Sequence, residues 1–268
     1  MSPSTERFLY LVDESDEYAQ TENWASILKG IVKTFATLRL PDAVAHVPSL
    51  DVSASWIAVG DKQVHDAAYA AARDAGKQIY LYNGIRPATG SFATEDDGIA
   101  LRALAWAQYK KKIDRWFFWE ATYYKDYQGG RGNTNLFVNA QTFGGKPTLS
   151  ATRGMTGWNY SNGDGVLFYP GTDKKFPSQS RGLLGPIASL RLKHWRRGVQ
   201  DVDYLALAEA KNPAAVAAIV ERMVPKILWE NDVADRADPS YVHCPISWPT
   251  DPDIWEVARA ELVSIIKG

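Results

Sequence analysis

Between residues 8 and 119 short β-rich apolar runs alternate with helical stretches, and this alternation limits the fold more than any other feature. The first run, Phe-Leu-Tyr-Leu-Val at 8–12, ends in two adjacent carboxylates, Asp13 and Glu14. A helix is predicted from about 16 to 33, with Trp24, Ile27, Leu28 and Ile31 spaced as a core-facing stripe. Thr34–Leu38 reads as a second strand, 41–51 as a loop, and Ser55–Val59 as a third strand bounded by Gly60 and Asp61. An Ala-rich helix over 62–75 stops at Gly76, which suits the residue just past a helix end. Gln78–Tyr82 is the fourth strand, and a helix over about 95–112 turns Ile99, Leu101, Leu104 and Ala105 inward. Arg115–Trp119 is the fifth strand and ends in Glu120. Strands separated by helices pair in parallel through right-handed crossovers, which makes the fold class α/β.

The pattern changes after the fifth strand. Residues 121–186 are rich in Gly, Asn, Tyr and Thr and allow at most short hairpins. A long helix is predicted over 186–211, then helices over 213–229 and 252–267, with Pro239, Pro245, Pro249 and Pro252 marking the connection. This divides the chain into a β/α part with long cleft loops, 1–186, and a C-terminal helical segment packed on it, 187–268. Five β/α units are visible, and a closed (β/α)8 barrel needs eight. The five form either an open sheet or part of a barrel whose first strands lie elsewhere.

Asp13 and Glu14 are the strongest candidates for chemistry. Groups at the C-terminal ends of parallel strands face the mouth of such folds. Two close carboxylates also raise one another's proton affinity, so that one can act as an acid while the other stays ionised. The competing reading is that Asp13 or Ser15 caps the following helix and Glu14 is merely solvated. Elsewhere the sequence mostly excludes. The net charge is −1 with no basic stripe, which argues against a nucleic-acid partner. Lys110-Lys111-Lys112 reads as a solvated helix end. Cys244 is the single cysteine, and His46, His65, His194 and His243 have no ligand spacing, so neither a disulfide nor a metal site is expected, and no cofactor. No run approaches the ~20 apolar residues of a membrane span. The first residues lack an apolar signal core, so the chain as written is expected in the cytoplasm, and in a secreted or periplasmic setting if it is a piece of a longer precursor.

Five blocks come in a recognisable order: Phe-Leu-Tyr-Leu-Val-Asp-Glu at 8–14, Tyr-Leu-Tyr-Asn at 80–83, Trp-Phe-Phe-Trp at 116–119, Asn162-Gly163-Asp164-Gly165 running to Tyr169-Pro170-Gly171, and Ser189 to Leu205 with Arg197-Gly198, Asp201 and Tyr204. Over about residues 8–210 the chain resembles the catalytic domain of glycoside hydrolase family 123 and its relatives. The resemblance implies a (β/α)8 TIM-barrel-like fold, here incomplete and holding strands four to eight. It implies a retaining β-N-acetylgalactosaminidase that acts on an amino-sugar glycan through an oxazolinium intermediate. Glu14 would then be the general acid/base, and Asp13 would orient the substrate's own acetamido nucleophile. A missing N-terminal half, or a partner chain, would complete the barrel. The alternative is a carbohydrate-binding barrel fragment without catalysis. A third reading pairs Glu14 with Glu120 on sugars lacking the acetamido group.

Further residues are candidates for contact with substrate. Asn83 and Arg86 follow the fourth strand. Trp119, Glu120, Tyr123 and Tyr124 follow the fifth, where rings can stack on a sugar face. Asn162 and Asp164 lie in a Gly-rich turn, Asn-Gly-Asp-Gly, that is better explained as structure than as substrate contact. Arg191, Arg196, Asp201 and Asp203 read as surface pairs along one helix.

Overall fold

The computed structural model describes residues 5–56, 62–124, 136–137, 141–143, 148–150, 154–156, 161–174, 176–231 and 245–268. Five strands form one parallel sheet in chain order: β1 (Phe8–Asp13), β2 (Lys33–Thr37), β3 (Val52–Trp56), β4 (Gln78–Tyr82) and β5 (Arg115–Phe117). They are linked by α1 (Tyr18–Leu28), α2 (Leu40–His46), α3 (Lys62–Asp74) and α4 (Ala100–Lys110). The third strand starts earlier than the sequence places it, because Val52 and Ala54, two residues apart, pack on one face with Phe35, Tyr80 and Tyr82. The stretch read as a loop contains α2, whose Pro41 sits in the first turn, where a missing N–H costs nothing. Residues 57–61 and the pair His243 and Cys244 lie outside the described residues.

The sheet is strongly rolled. Phe35 of β2 packs its ring against Phe8 (4.8 Å), Tyr10 (5.0 Å), Tyr80 (6.0 Å) and Phe117 of β5 (5.8 Å). Three strand spacings in a flat sheet would separate β2 from β5 by about 14 Å. Glu6, just before β1, accepts from Lys33 (2.8 Å) and Tyr80 (3.2 Å) and lies 3.5 Å from Arg115 at the start of β5. One ionic cluster therefore draws together the bottoms of four strands. Hydrogen bonds from Lys33 and Gln78 hold the Glu6 carboxyl down at about 2.

The opposite face of the sheet meets the helices. Ile79, Leu81, Leu101, Leu104, Ile113 and Trp116 form the core beneath α3 and α4. Burying each large apolar side chain contributes roughly 1.5–3 kcal/mol. Residues Ala100 to Ala107 of α4 are all buried, because a second layer covers its far side. That layer is α5 (Leu190–Glu209), α6 (Pro213–Met223) and α7 (Pro252–Lys267). Its core holds Trp106, Leu205, Met223, Trp255 and Leu262. Gly198 lets α5 cross α4 closely, since a Cβ there would lie 2.7 Å from the Arg102 carbonyl oxygen and 2.9 Å from Ala105 Cβ. Gly198→Ala is accordingly expected to destabilise the fold by about 1–3 kcal/mol, measured by urea unfolding.

Several expectations need correction here. The stripe on α1 does not face the core: Ile27 is 64% exposed and Ile31 77%, while Thr21 and Ala25 are the buried residues. Small residues let α1 lie close to the sheet, and the bulky ones turn outward. The Lys110 ammonium is not a solvated helix end, because it donates to the Val224 (2.9 Å) and Pro225 (2.8 Å) carbonyl oxygens beside Glu230. Arg191 and Asp201 are buried rather than paired on a surface. The long helix starts only at Leu190, with Ser189 as its cap, accepting from the Leu192 amide at 3.2 Å. The helix expected to reach 229 ends as α6 at Met223, just ahead of Pro225.

Among the described residues the loop-rich part contains three short antiparallel strand pairs. These are β6 (Gln141–Phe143) with β9 (Ser161–Asn162), β7 (Thr148–Ser150) with β8 (Gly154–Thr156), and β10 (Phe168–Tyr169) with β11 (Ile187–Ala188).

Candidate active site

The acid pair depends on a bulge. Within β1 the partners run Tyr10 to Phe35 and then Val12 to Ala36, so Leu11 is an extra residue. A bulge breaks the two-residue alternation. Tyr10 packs on Phe35 on the inner face, Leu11 and Val12 both pack among Ala36, Leu38 and Val47 under the helices, and Asp13 returns to the side of Tyr10. The chain then turns at Glu14, whose φ of 47° is left-handed. A non-glycine residue in that region is uncommon and is found where the surroundings enforce it. Here Thr37 at the end of β2 enforces it, since the Glu14 amide donates to Thr37 Oγ1 (2.7 Å) and to the Thr37 carbonyl (3.2 Å).

The two carboxylates then meet different partners. Asp13 Oδ1 accepts from the Tyr10 phenol (2.6 Å) and the Thr37 hydroxyl (2.8 Å). Glu14 Oε1 accepts from the phenol of Tyr82, which arrives from β4 across the rolled sheet. Burial, then the hydrogen bond to Glu14, pushes the Tyr82 phenol far above its ordinary value. Burial and Asp13 do the same to Tyr10. Both phenols are therefore neutral donors. Asp13 and Glu14 themselves are exposed. Tyr10, Thr37 and Tyr82 were not singled out from the sequence. The signal that could have found Tyr82 was its place as the last residue of a strand two along from β2, on the aromatic face.

A second group surrounds the end of β5. Trp119 Nε1 donates to Asp164 (3.1 Å), and its ring lies 5.1 Å from that of Tyr123. Gly165 makes this possible, as a Cβ there would fall 2.6 Å from the Trp119 ring. Burial pushes the Asp164 carboxyl up. Glu120 Oε1 accepts from the Ala121 amide (2.8 Å), the Thr122 amide (3.0 Å) and the Thr122 hydroxyl (3.2 Å), and the backbone donors hold its carboxyl low. Tyr124 donates to the Phe168 carbonyl at 2.9 Å. Asn162 is held by Glu95, to which its amide donates at 2.9 Å. Arg86 is clamped between Asp96 and Asp97. Arg191 secures the same turn by donating to Gly163 (2.6 Å) and Val166 (2.6 Å) carbonyls.

Asn83 stands between the two groups. Its φ is 59°, its carbonyl accepts from Trp116 Nε1 (2.7 Å), and its Oδ1 is buried with no hydrogen-bond partner among the described residues. A buried acceptor left open is costly. The structure thus brings Asp13 and Glu14 together with Tyr10, Thr37 and Tyr82, and gathers Trp119, Tyr123 and Asp164 separately. Among the described residues no three His, Cys, Asp or Glu side chains are grouped to hold a metal ion, and no helix is long and apolar enough to cross a membrane.

A sequence profile described as glycoside hydrolase 123, catalytic domain, matches residues 5–208. The chain belongs to this family. Glycoside hydrolase family 123 membership implies glycoside hydrolysis and a carbohydrate substrate. The matched region spans all five strands of the sheet, both exposed acids, the Gly-rich turn and nearly all of α5. No curated protein matches the chain.

Proposed function

We propose that the chain is the catalytic part of a retaining β-N-acetylhexosaminidase of β-N-acetylgalactosaminidase type, working by substrate assistance. The observation that carries this reading is the unequal setting of the adjacent acids. Asp13 Oδ1 is occupied by two hydroxyl donors, so Asp13 is an acceptor held still, with Oδ2 available for the N–H of an acetamido group. Among the described residues the Glu14 carboxylate accepts from one phenol and is exposed, as a group that gives and takes a proton must be. In the first step Glu14 protonates the glycosidic oxygen while the acetamido carbonyl oxygen attacks the anomeric carbon, and the aglycone leaves as an alcohol. Asp13 accepts the amide N–H and offsets the positive charge of the oxazolinium ion. In the second step the Glu14 carboxylate takes a proton from water, which opens the ion with net retention.

The residue after β4 and the setting of Glu120 support substrate assistance over a carboxylate nucleophile from the protein. Double displacement needs two carboxyl groups about 5 Å apart. Strand β4 is followed by Asn83 rather than by a carboxylate, and Glu120 has Oε1 committed to its own turn. Asp13→Asn is expected to cut kcat on acetamido substrates by about 10²-fold with a much smaller change in KM, because charge stabilisation is needed chiefly in the transition state. A thiazoline analogue of the intermediate should inhibit competitively. An enzyme indifferent to thiazoline that cleaves plain β-galactosides equally well would refute substrate assistance.

One observation favours a second reading, that of a glycan-binding module. The outer edge of β1 is unpaired among the described residues, and Phe8, Leu9 and Tyr10 there are each 45–48% exposed. Open strand edges invite further pairing. We read this edge as the place where additional β/α units, on the same polypeptide or a partner chain, extend the sheet toward a (β/α)8 barrel. Hydrolysis by the 268-residue chain alone would exclude the purely binding module.

A further inference from the structure

We propose that Tyr82 is the positioning residue that makes Glu14 an effective acid, by fixing Oε1 so that Oε2 carries the transferable proton. This rests on the assignment of Glu14 as acid/base and extends it to a residue on another strand.

The geometry has three parts. First, Glu14 sits at an exposed strand end, and its backbone is pinned by Thr37 while nothing in β1 or α1 holds its side chain. A glutamate with three free torsions at such a site samples many rotamers. Second, Tyr82 is 3% exposed, and its ring stacks on Phe117 at 5.4 Å and 14°. Its phenol oxygen is therefore a fixed point, set by the roll of the sheet rather than by local flexibility. Third, that fixed phenol donates to Oε1, and Oε2 takes no hydrogen bond among the described residues. An oxygen already accepting from a phenol is the poorer carrier of the acidic proton, so the proton resides on the other one. Tyr82 selects both the rotamer and the working oxygen. Small displacements of a proton donor are costly in rate, which is why a residue that never touches the reacting atoms can matter.

Leaving-group dependence separates this role from a merely structural one. Protonation of the leaving oxygen matters for a poor leaving group such as phenol and little for 2,4-dinitrophenol, which departs unaided. Tyr82→Phe keeps the ring and removes only the hydroxyl. On phenyl β-N-acetylgalactosaminide its kcat is expected to fall by about 10–100-fold, part of the whole worth of general acid catalysis. On the 2,4-dinitrophenyl glycoside the rate of the first turnover, which needs no acid, should fall by no more than about 3-fold, with KM for the phenyl substrate little changed. An equal loss on both substrates would mean that Tyr82 only supports the fold, and would overturn the inference. Glu14→Gln, measured in parallel, keeps the two claims apart. If Glu14→Gln shows the leaving-group dependence and Tyr82→Phe does not, the Tyr82 inference fails alone. If neither shows it, the acid assignment fails too. Crystal structures of the wild type and Tyr82→Phe give a readout that needs no turnover. The Glu14 carboxylate should change rotamer in the variant, and an unmoved carboxylate overturns the proposal.

Discussion

Glu14→Gln should lower kcat on a phenyl β-N-acetylgalactosaminide by about 10³-fold, within the range usual for loss of a general acid/base, while KM changes little. The amide is nearly isosteric with the carboxyl group. Its carbonyl oxygen can still accept from Tyr82, so the strand end and the Thr37 contacts should persist. What the amide cannot do is release or accept a proton. Both steps lose their catalyst, the first by loss of an acid and the second by loss of a base. With a dinitrophenyl leaving group only the second loss remains, so the intermediate should accumulate and the first turnover should run ahead of the steady state. Steady-state rates on the two glycosides, with a rapid-mixing trace on the second, decide the matter. A variant retaining a third or more of wild-type kcat on the phenyl substrate would remove Glu14 from the chemistry.

The parts of this arrangement differ in how legible they were. The β/α alternation was clear because each strand is a short run of large apolar residues and each helix has a stop. Gly76, at φ 68°, ends α3 where the sequence placed it. The adjacent acids at the end of β1 were visible for the same reason, as polar residues closing an apolar run. Their orientation was not. It depends on the extra residue at Leu11, and nothing in Phe-Leu-Tyr-Leu-Val-Asp-Glu marks where a bulge falls, since Leu11 and Val12 are equally apolar. Tyr82 was read as an ordinary strand residue because its role comes from the roll of the sheet. Contacts across 68 residues of sequence cannot be inferred from spacing. The outward stripe of α1 misled for a related reason. Apolar spacing shows which residues share a face, but not which face the sheet takes. Arg86, Asn162 and Tyr124 were readable as polar groups near strand ends, whereas their bonds to Asp96 and Asp97, to Glu95 and to the Phe168 carbonyl belong to loop geometry.

The largest stability effect is expected at Asp201, far along the chain from the acids. Its carboxylate is fully buried and accepts four donors: Arg102 Nε (2.6 Å) and Nη2 (3.2 Å), Trp106 Nε1 (3.0 Å) and Arg259 Nε (2.6 Å). These groups come from α4, α5 and α7, so one residue ties the helical layer to the helix that backs the sheet. Arg102 is 2% exposed, and removing its partner leaves a guanidinium and an indole N–H with no route to water. Breaking a buried pair from one side typically costs about 3–5 kcal/mol. Asp201→Ala should therefore unfold at markedly lower urea concentration, and Asp201→Asn, which keeps the shape and one acceptor, should fall between it and wild type. Glu256 moderates the loss, since it accepts from Arg102 Nη1 at 2.6 Å and remains in place. The same reasoning says that removing both charges costs less than removing one. Arg102→Met combined with Asp201→Leu should recover part of the stability lost in Asp201→Ala, because the Arg102 charge is no longer left unpaired, while Arg259 still loses its acceptor. If Asp201→Ala unfolds within about 0.5 kcal/mol of wild type, the network is not what joins the two layers, and the apolar core around Trp106, Leu205 and Trp255 must do so.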